Sequence, residues 1–327
     1  LKAFAIVGVI SLHVIGPSLM HFEKTSLAFK LLISTDQFFR FSVPLFVALS
    51  GYTLALRYKD ERVSYMTFFK KRAIRILPWY FFLSALIFIY LAITVPDSEK
   101  VLYPIWKVIF LGKADYHLYF IPMIFQLYLL FPILLKLYKR ITLLLLFSLL
   151  AFQLILYQAY ALFFDKKIYL PFLQHDQQQY LFFGTWIFYF VLGISLSFVS
   201  NQQNKLMELS KKLIVPLLLL SFCYELLNSF TLIDRNADVI VATSTSKIST
   251  LIYSTCTIIF SIFYANFLLK LPGAVVSFLE NFGKRSFVTY LCHTIILRVI
   301  LLKLTPTSPQ NIVAIELLTI TLANTFA

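Results

Sequence analysis

Long apolar runs alternate along the chain with short connections that are polar and mostly basic. A run of about 20 apolar residues is what an α-helix needs to cross a hydrocarbon core about 30 Å thick. The runs lack the alternation over about ten residues that marks the strands of a membrane barrel. The pattern therefore predicts an all-α integral membrane protein, a polytopic bundle of about ten transmembrane helices. The predicted spans are 1–19, 36–56, 74–95, 117–135, 141–162, 180–200, 212–232, 247–269, 285–303 and 311–327.

The amino-acid composition is also that of a membrane-embedded chain. Hydrophobic residues make up 60% of the sequence and charged residues 13%, and the mean hydropathy is +0.82. Soluble domains carry about 25% charged residues. No repeat of fixed period is present, and no segment has the composition of a separate soluble domain. The sequence predicts one membrane-embedded domain over residues 1–327, and we expect it to be trimmed at both ends because both fall inside predicted helices.

The net charge of +14 reflects Lys and Arg residues that lie between the apolar runs. The connections after the even-numbered spans are the more basic ones, and by the positive-inside rule these face the cytoplasm. The amino-terminal end of the first helix then lies at the cytoplasmic surface. Topology and anionic headgroups account for the charge, so we expect membrane lipids as partners and no nucleic acid.

The three cysteines, Cys223, Cys256 and Cys292, fall in three different apolar runs. No CxxC pair or metal-ligand spacing occurs, so they are interpreted as small core residues and no metal site is predicted. No Gly-rich phosphate loop or paired-carboxylate motif is present either. These observations argue against ATP-driven and metal-dependent chemistry, and we expect no tightly bound cofactor.

The first predicted helix carries two ionisable side chains, Lys2 and His13. Eleven steps of about 100° make roughly three turns, so both side chains lie near one face, about 16 Å apart along the axis. Ionisable groups inside a membrane helix are costly and usually face protein or water. The pair therefore predicts a polar path inside the protein, running from a membrane surface toward the centre of the bilayer. The alternative is that Lys2 snorkels to the interface while His13 bonds a neighbouring backbone carbonyl.

Other ionisable groups fall inside or near predicted spans. His117 is expected at the outer end of the fourth span, where it either contacts substrate or makes a structural hydrogen bond. His293 lies about two turns into the ninth span, and it either lines a tunnel for a donor or is a core histidine. Glu225 is an intramembrane carboxylate that must be protonated or paired, and Glu316 is similar.

Three arginines are further candidates for binding an anionic substrate. Arg40 lies near the outer end of the second span, where snorkelling explains it equally well. Arg72 and Arg75 belong to the basic segment from Tyr58 to Arg75, which suits an amphipathic helix on the cytoplasmic face. That segment is interpreted as an anchor for anionic lipid, with contact to an anionic ligand such as a nucleotide phosphate as the alternative.

Five short motifs, in order along nearly the whole chain, carry a resemblance to a known family. They are Lys2 with His13, RFSVPLFVALSGY from Arg40 to Tyr52, KRAIRILP from Lys71 to Pro78, HLYFIP from His117 to Pro122, and GKRSFVTYLCH from Gly283 to His293. With them the chain resembles the membrane-bound acyltransferase family 3, the integral-membrane O-acyltransferases of bacterial polysaccharides and their animal relatives. Tyr119 stands where that family's His-Leu-Trp-Phe-Leu element has Trp. The segment from Gly184 to Gly193 is similar to the branch that includes the intercellular-adhesin membrane protein.

The resemblance implies an acyltransferase of the bacterial plasma membrane. Its co-substrate would be cytoplasmic acyl-CoA, of the acetyl or succinyl class, and its acceptor a hydroxyl of an extracytoplasmic or lipid-linked glycan. Histidine is the usual base for such a reaction because its unperturbed pKa of about 6.5 lies near the working pH. His13 is expected to deprotonate the acceptor hydroxyl or to carry the acyl group briefly. Lys2 is expected to hold the donor.

A transporter is the alternative from another functional class. About ten helices with internal charges also suit an exporter or flippase of a polysaccharide or lipid-linked sugar. Transporters often show two related halves with broken helices in corresponding places, and no such symmetry is seen in this sequence. The polar stripe on the first helix favours the enzyme.

Overall fold

The computed structural model describes residues 1–58, 64–94, 104–164, 178–199 and 205–327, and within these ranges it contains helices and no strand. The helices are α1 (Lys2–Ser18), α2 (Leu27–Phe39), α3 (Ser42–Tyr58), α4 (Tyr65–Thr94), α5 (Ile105–Leu111), α6 (Phe120–Phe164), α7 (Gln178–Leu181), α8 (Ile187–Val199), α9 (Lys205–Asp234), α10 (Val239–Ala242), α11 (Ile248–Phe263), α12 (Gly273–Leu301) and α13 (Pro309–Phe326). The predicted all-α class is confirmed for this part of the chain.

Five helical segments within the described ranges are long and apolar enough to cross a membrane, whereas α8 and α11 are apolar but shorter. These five are Lys2–His21, Leu27–Tyr58, Tyr65–Thr94, Phe120–Phe163 and Glu208–Asp234. They mark a membrane protein, and the predicted count of about ten spans is not confirmed.

Several helix boundaries differ from those predicted. The stretch before residue 36 forms the separate helix α2, whose first turn is capped by Ser26 because the hydroxyl accepts from the amide of Phe29 at 3.2 Å. The basic residues from Tyr65 to Arg75 do not form a helix of their own but begin α4 and continue into its apolar part. Residues 59–63 of the predicted amphipathic segment lie outside the described ranges.

All but the first three residues of the fourth predicted span, and the whole of the fifth, fall within α6. The basic residues predicted to form a turn there, Lys136 to Arg140, are helical. The interruption comes one residue later, at Ile141, where φ is −137° and ψ is 46°. Two helical segments therefore meet at Ile141.

The chain divides into two compact units. The first comprises Leu1–Leu49 and Phe198–Ala327, and the second comprises Ser50–Ser197. In the first unit α1 packs against α2, α12 and α13, while α9 packs against α11.

Contacts within the first unit fix the relative directions of its helices. A Cβ at Gly283 would lie 3.6 Å from the Cβ of Lys2, and His13 contacts His293 further along both helices, so α1 and α12 run parallel. Helices α9 and α11 run antiparallel, because the Tyr264 hydroxyl donates to the Lys211 carbonyl at one end while Thr250 bonds Glu225 near the other.

The second unit is held by aromatic packing and one close approach of two helices. The rings of Tyr58, Phe68 and Phe131 pack at centroid distances of 5.5 to 6.1 Å. A Cβ at Gly51 would clash with the carbonyl oxygen of Phe190, so a glycine lets the backbones of α3 and α8 touch. The motif from Arg40 to Tyr52 therefore contributes Gly51 to helix packing.

Candidate active site

Two histidines meet where α1 packs against α12. Nδ1 of His13 lies 2.6 Å from Nε2 of His293, and the two rings are nearly parallel, with an interplanar angle of 8° and centroids 4.9 Å apart. His293 is fully buried, whereas His13 is half-buried. The short N–N distance requires one ring to donate a proton and the other to accept it.

The backbone around His293 decides which ring donates. Nδ1 of His293 lies 2.6 Å from the carbonyl oxygen of Tyr290, which can only accept. Nδ1 of a neutral His293 therefore carries the proton, and its Nε2 accepts from Nδ1–H of His13. In a neutral His13 the lone pair then sits on Nε2. The arrangement fixes the tautomer of His13 in the way that a hydrogen-bonded partner orients a catalytic base.

Two residues before His13 on α1, a hydroxyl meets a carboxylate. The Ser11 hydroxyl donates a short hydrogen bond to the carboxylate of Glu316 on α13, and it also lies 3.0 Å from the carbonyl of Val7. Through this bond Glu316 contacts Ser11 of α1. The side chain that is hydrogen-bonded to His13 is a second histidine, His293.

Lys2 lies at the start of the same contact between helices. Gly283 of α12 packs against the backbone of Ala3 and the Cβ of Lys2, and the remainder of the Lys2 side chain is exposed. Lys2 and His13 are thus both on the side of α1 that faces α12. Because about 16 Å of helix separates them, the two side chains cannot contact the same atom of a substrate.

Arg40 and Glu225 belong to a different cluster, which we call the charged network: Asp36, Gln37, Arg40, Glu225 and Lys247. Arg40 donates to both carboxylate oxygens of Asp36, at 2.6 to 2.8 Å. The Lys247 ammonium lies 3.0 Å from Oε1 of Glu225. Gln37 links the two ion pairs, because its Nε2 donates to Asp36 at 2.7 Å and its Oε1 accepts from Lys247 at 2.9 Å.

Neighbouring polar groups complete the charged network. Lys247 also donates to the hydroxyl of Ser229 at 2.6 Å and to the carbonyl of Ala242 at 2.7 Å, and Thr250 donates to Glu225 at 2.8 Å. Asp36 and Glu225 are fully buried. Each buried carboxylate thus faces a cation, as membrane-embedded charges require.

The remaining candidates lie in the second unit. His117 is buried in the turn before α6, with Nδ1 3.7 Å from Oδ2 of Asp115. The guanidinium of Arg72 lies 5.6 Å from the ring centre of Phe68 and 5.8 Å from that of Tyr128. Arg75 is exposed on α4. Substrate binding by His117, Arg72 and Arg75 stays a prediction.

Three partners in these clusters were not anticipated from sequence: Asp36, Lys247 and Asp115. The spacing of Asp36 and Arg40 carried a usable signal, because opposite charges four residues apart meet on a helix. Lys247 carried none, since it meets Glu225 from the loop before α11. Asp115 lies two residues from His117 in the turn before α6, where spacing alone predicts no contact. Within the part of the chain that the structure describes, no group of three or more His, Cys, Asp or Glu side chains could hold a metal ion.

Comparison with known proteins adds one finding to this geometry. A family model described as an acyltransferase domain, that of acyltransferase family 3, matches residues 1–326. No curated protein and no solved structure matches the chain, so the similarity to the adhesin branch has no further support. Since the match covers nearly the whole sequence, and since apolar helices mark a membrane protein, the chain belongs to acyltransferase family 3.

Proposed function

We propose that this protein transfers an acyl group from acyl-CoA to a hydroxyl of an extracytoplasmic or lipid-linked glycan, with His13 at the reacting centre. Membership of an acyltransferase family supports an enzyme over an exporter. The single observation that carries the assignment of His13 is its hydrogen bond with His293, which leaves Nε2 of His13 as the basic nitrogen.

The chemistry follows from that tautomer. As the acceptor oxygen bonds the thioester carbon, Nε2 of His13 takes the hydroxyl proton; the carbon–sulfur bond then breaks and the proton passes to the departing CoA thiolate. In the covalent variant, Nε2 attacks the thioester carbon, the carbon–sulfur bond breaks and the CoA thiolate leaves; the acceptor oxygen then attacks the acyl carbon, the carbon–nitrogen bond breaks, and Nε2 takes the hydroxyl proton and passes it to the thiolate. In both, the hydrogen bond from Nδ1 to His293 persists and holds the imidazole in place.

Lys2 is proposed to bind a part of the donor remote from the thioester. Its ammonium is a cation at the end of α1, which suits the phosphates of CoA. The separation of about 16 Å from His13 is compatible with an elongated donor that contacts both residues. We place this end of α1 at the cytoplasmic surface of a bacterial plasma membrane, in agreement with the distribution of basic connections.

For Arg40 and Glu225 we propose a structural role in place of substrate binding. Both are charge-paired within the charged network, and a substrate anion would have to displace Asp36 to bind Arg40. His117, Arg72 and Arg75 are kept as candidate contacts for substrate.

The test is turnover of acetyl-CoA and succinyl-CoA by the purified full-length protein in lipid nanodiscs. His13→Ala should lower turnover about 100- to 10,000-fold, the range for loss of a general base. His21→Ala is the matched control, because His21 is an exposed histidine that follows the same helix, and it should keep wild-type turnover. Lys2→Ala should raise the KM for the donor more than it lowers kcat. Full activity in His13→Ala would refute the assignment.

A further inference from the structure

A large apolar cavity lies in the first unit, away from the histidine pair. Its volume is about 610 Å³, and its wall is formed by α1, the end of α2, the start of α3, α9, α11 and the segment that follows α11. Pockets of about 300 to 1,000 Å³ are the size that holds a whole small ligand. Aromatic rings dominate the wall: Phe4, Phe38, Phe41, Phe222, Tyr253, Phe260, Tyr264 and Phe267.

One end of the cavity is closed by a cluster of rings. The rings of Phe222 and Tyr253 lie 5.2 Å apart, and Phe38 and Phe41 pack against them at 5.8 and 6.3 Å. The Tyr253 hydroxyl donates to the carbonyl of Phe38 at 2.8 Å, so its polar group is already satisfied. This floor offers a ligand only hydrocarbon and ring faces.

The other end of the cavity is basic. The Lys270 ammonium lies 5.7 Å from the ring centre of Phe267, a wall residue, and the hydroxyl of the wall residue Tyr264 bonds the backbone of Lys211. Lys212 follows, and Glu208 is the one acidic residue in the first turn of α9. A ligand with an apolar chain and an anionic head therefore matches the cavity from floor to mouth.

The length of the cavity matches one leaflet of a bilayer. From Tyr253 at the floor to Tyr264 at the mouth is eleven residues of α11, or about 16 Å. Half of a hydrocarbon core about 30 Å thick is about 15 Å. The wall residues Leu219 and Phe267 are each 62% exposed, so a chain can enter from the side.

The cavity is separate from the proposed reacting centre. Phe4 and His13 are nine residues apart on α1, which is roughly two and a half turns, so they point to opposite faces. An acyl group held against Phe4 is therefore not presented to His13. This excludes the reacting donor chain as the natural occupant and favours a resident lipid.

We propose that this cavity binds one anionic phospholipid of the adjoining leaflet, with a hydrocarbon chain on the aromatic floor and the headgroup beside Lys270. Basic pockets between membrane helices hold anionic headgroups in this way. The site is distinct from the acyl-transfer site, so the inference stands whether or not the acyltransferase assignment is correct.

The test is native mass spectrometry of the full-length protein in mild detergent, titrated with phosphatidylglycerol or phosphatidylcholine of identical chains. One phosphatidylglycerol should bind with clear preference. Lys270→Gln should weaken that binding about fivefold, the effect of one lysine near a headgroup, and leave phosphatidylcholine unchanged. Ser261→Trp fills the cavity from a half-buried wall position and should abolish binding.

The control is Ile252→Trp, which places the same ring on the opposite face of α11, at a residue 42% exposed; it should bind phosphatidylglycerol like wild type. Equal binding by Ser261→Trp and wild type would overturn the proposal. So would equal affinity for the two lipids, or displacement of the lipid by a long-chain acyl-CoA, which would make the cavity a donor site. Lys270 is exposed, so its variant remains informative even if Ser261→Trp folds poorly.

Discussion

The histidine pair and the charged network are both buried polar clusters of the first unit, and they differ in what their protons can do. In the charged network, each carboxylate faces a cation, Asp36 with Arg40 and Glu225 with Lys247. In the histidine pair, two imidazoles share one hydrogen bond, and an imidazole nitrogen can both take up and give off a proton. The first cluster holds charges in fixed positions, whereas the second can accept and release a proton.

This difference teaches how to separate structural from catalytic ionisable groups in a membrane helix. Arg40, Glu225 and His13 carry the same kind of sequence signal, a titratable residue within an apolar run, and all three were candidates for the site. Only the partners distinguish them. An ionised group with a counter-charge is held in a fixed position, whereas a histidine whose tautomer is set by its neighbour suits the acid–base role proposed for His13.

The largest expected effect on stability comes from Lys247→Met. It leaves Glu225 buried without its cation, and loss of one partner of a buried pair costs about 3 to 5 kcal/mol. We expect the free energy of unfolding, measured by SDS titration in mixed micelles, to fall by that order, while turnover per folded molecule stays at the wild-type level.

Lys30→Met is the matched control, since Lys30 is exposed on α2 and its loss should leave the free energy of unfolding nearly unchanged. A Lys247→Met protein that is as stable as wild type would mean that the charged network is not what holds α2, α9 and α11 together. A stable variant with no turnover would instead move Lys247 into the catalytic machinery.

The double variant Glu225→Gln with Lys247→Met sharpens the same comparison. Removing both charges avoids the unpaired buried carboxylate, so the double variant should be less destabilised than the sum of the two single variants. Coupling between contacting residues is about 0.5 to 3 kcal/mol, and the same SDS titration measures it. Strict additivity of the single losses would show that the two side chains do not interact in the bilayer.

Variants of His293 test the role of the histidine pair. His293→Leu removes the acceptor for Nδ1–H of His13, and we expect a loss of turnover of about 100-fold, by analogy with residues that orient a metal-bound histidine. His293→Gln keeps an acceptor oxygen and should lose about tenfold. The donor KM should not change in either variant, because His293 is proposed to act on His13 alone.

Stability distinguishes this role from a structural one. Both His293 variants should unfold within about 2 kcal/mol of wild type, since His293 makes two hydrogen bonds and each contributes about 1 kcal/mol net. Equal turnover in His293→Leu, His293→Gln and wild type would remove His293 from the mechanism, and a shift of the donor KM alone would place it in the donor path.

The class of fold and the first helix could be predicted from local pattern, because helix length and hydropathy are set by the residues themselves. The spacing of Lys2 and His13 placed both on one face, and that face is the one that packs on α12. The separate helix α2 was missed because its cap at Ser26 is a polar residue in a stretch interpreted as a loop.

Pairings between distant segments could not be predicted. His13 and His293 are 280 residues apart, and nothing in either helix specifies which face meets the other. The same holds for Lys247 and Glu225, where a loop reaches back to an intramembrane carboxylate. Local sequence shows that Glu225 needs a partner, but tertiary packing chooses it.

The smallest expected effect is that of Ser11→Ala, and it asks whether Glu316 belongs with the histidine pair or with structure. Ser11 and His13 lie on one helix two residues apart, and the Ser11 hydroxyl donates to the Glu316 carboxylate. Hydrogen bonds between membrane helices contribute about 0.6 kcal/mol on average, so the SDS titration should show a loss of that order. Turnover should stay within about twofold of wild type, because a net loss of about 0.5 kcal/mol in positioning corresponds to little more than a factor of two.

Thr321→Ala on α13 is the matched control, since the Thr321 hydroxyl is exposed and bonds its own helix. A tenfold fall in turnover at unchanged stability in Ser11→Ala would show that Glu316 acts on the reaction, and the catalytic cluster would then extend from α1 and α12 to α13.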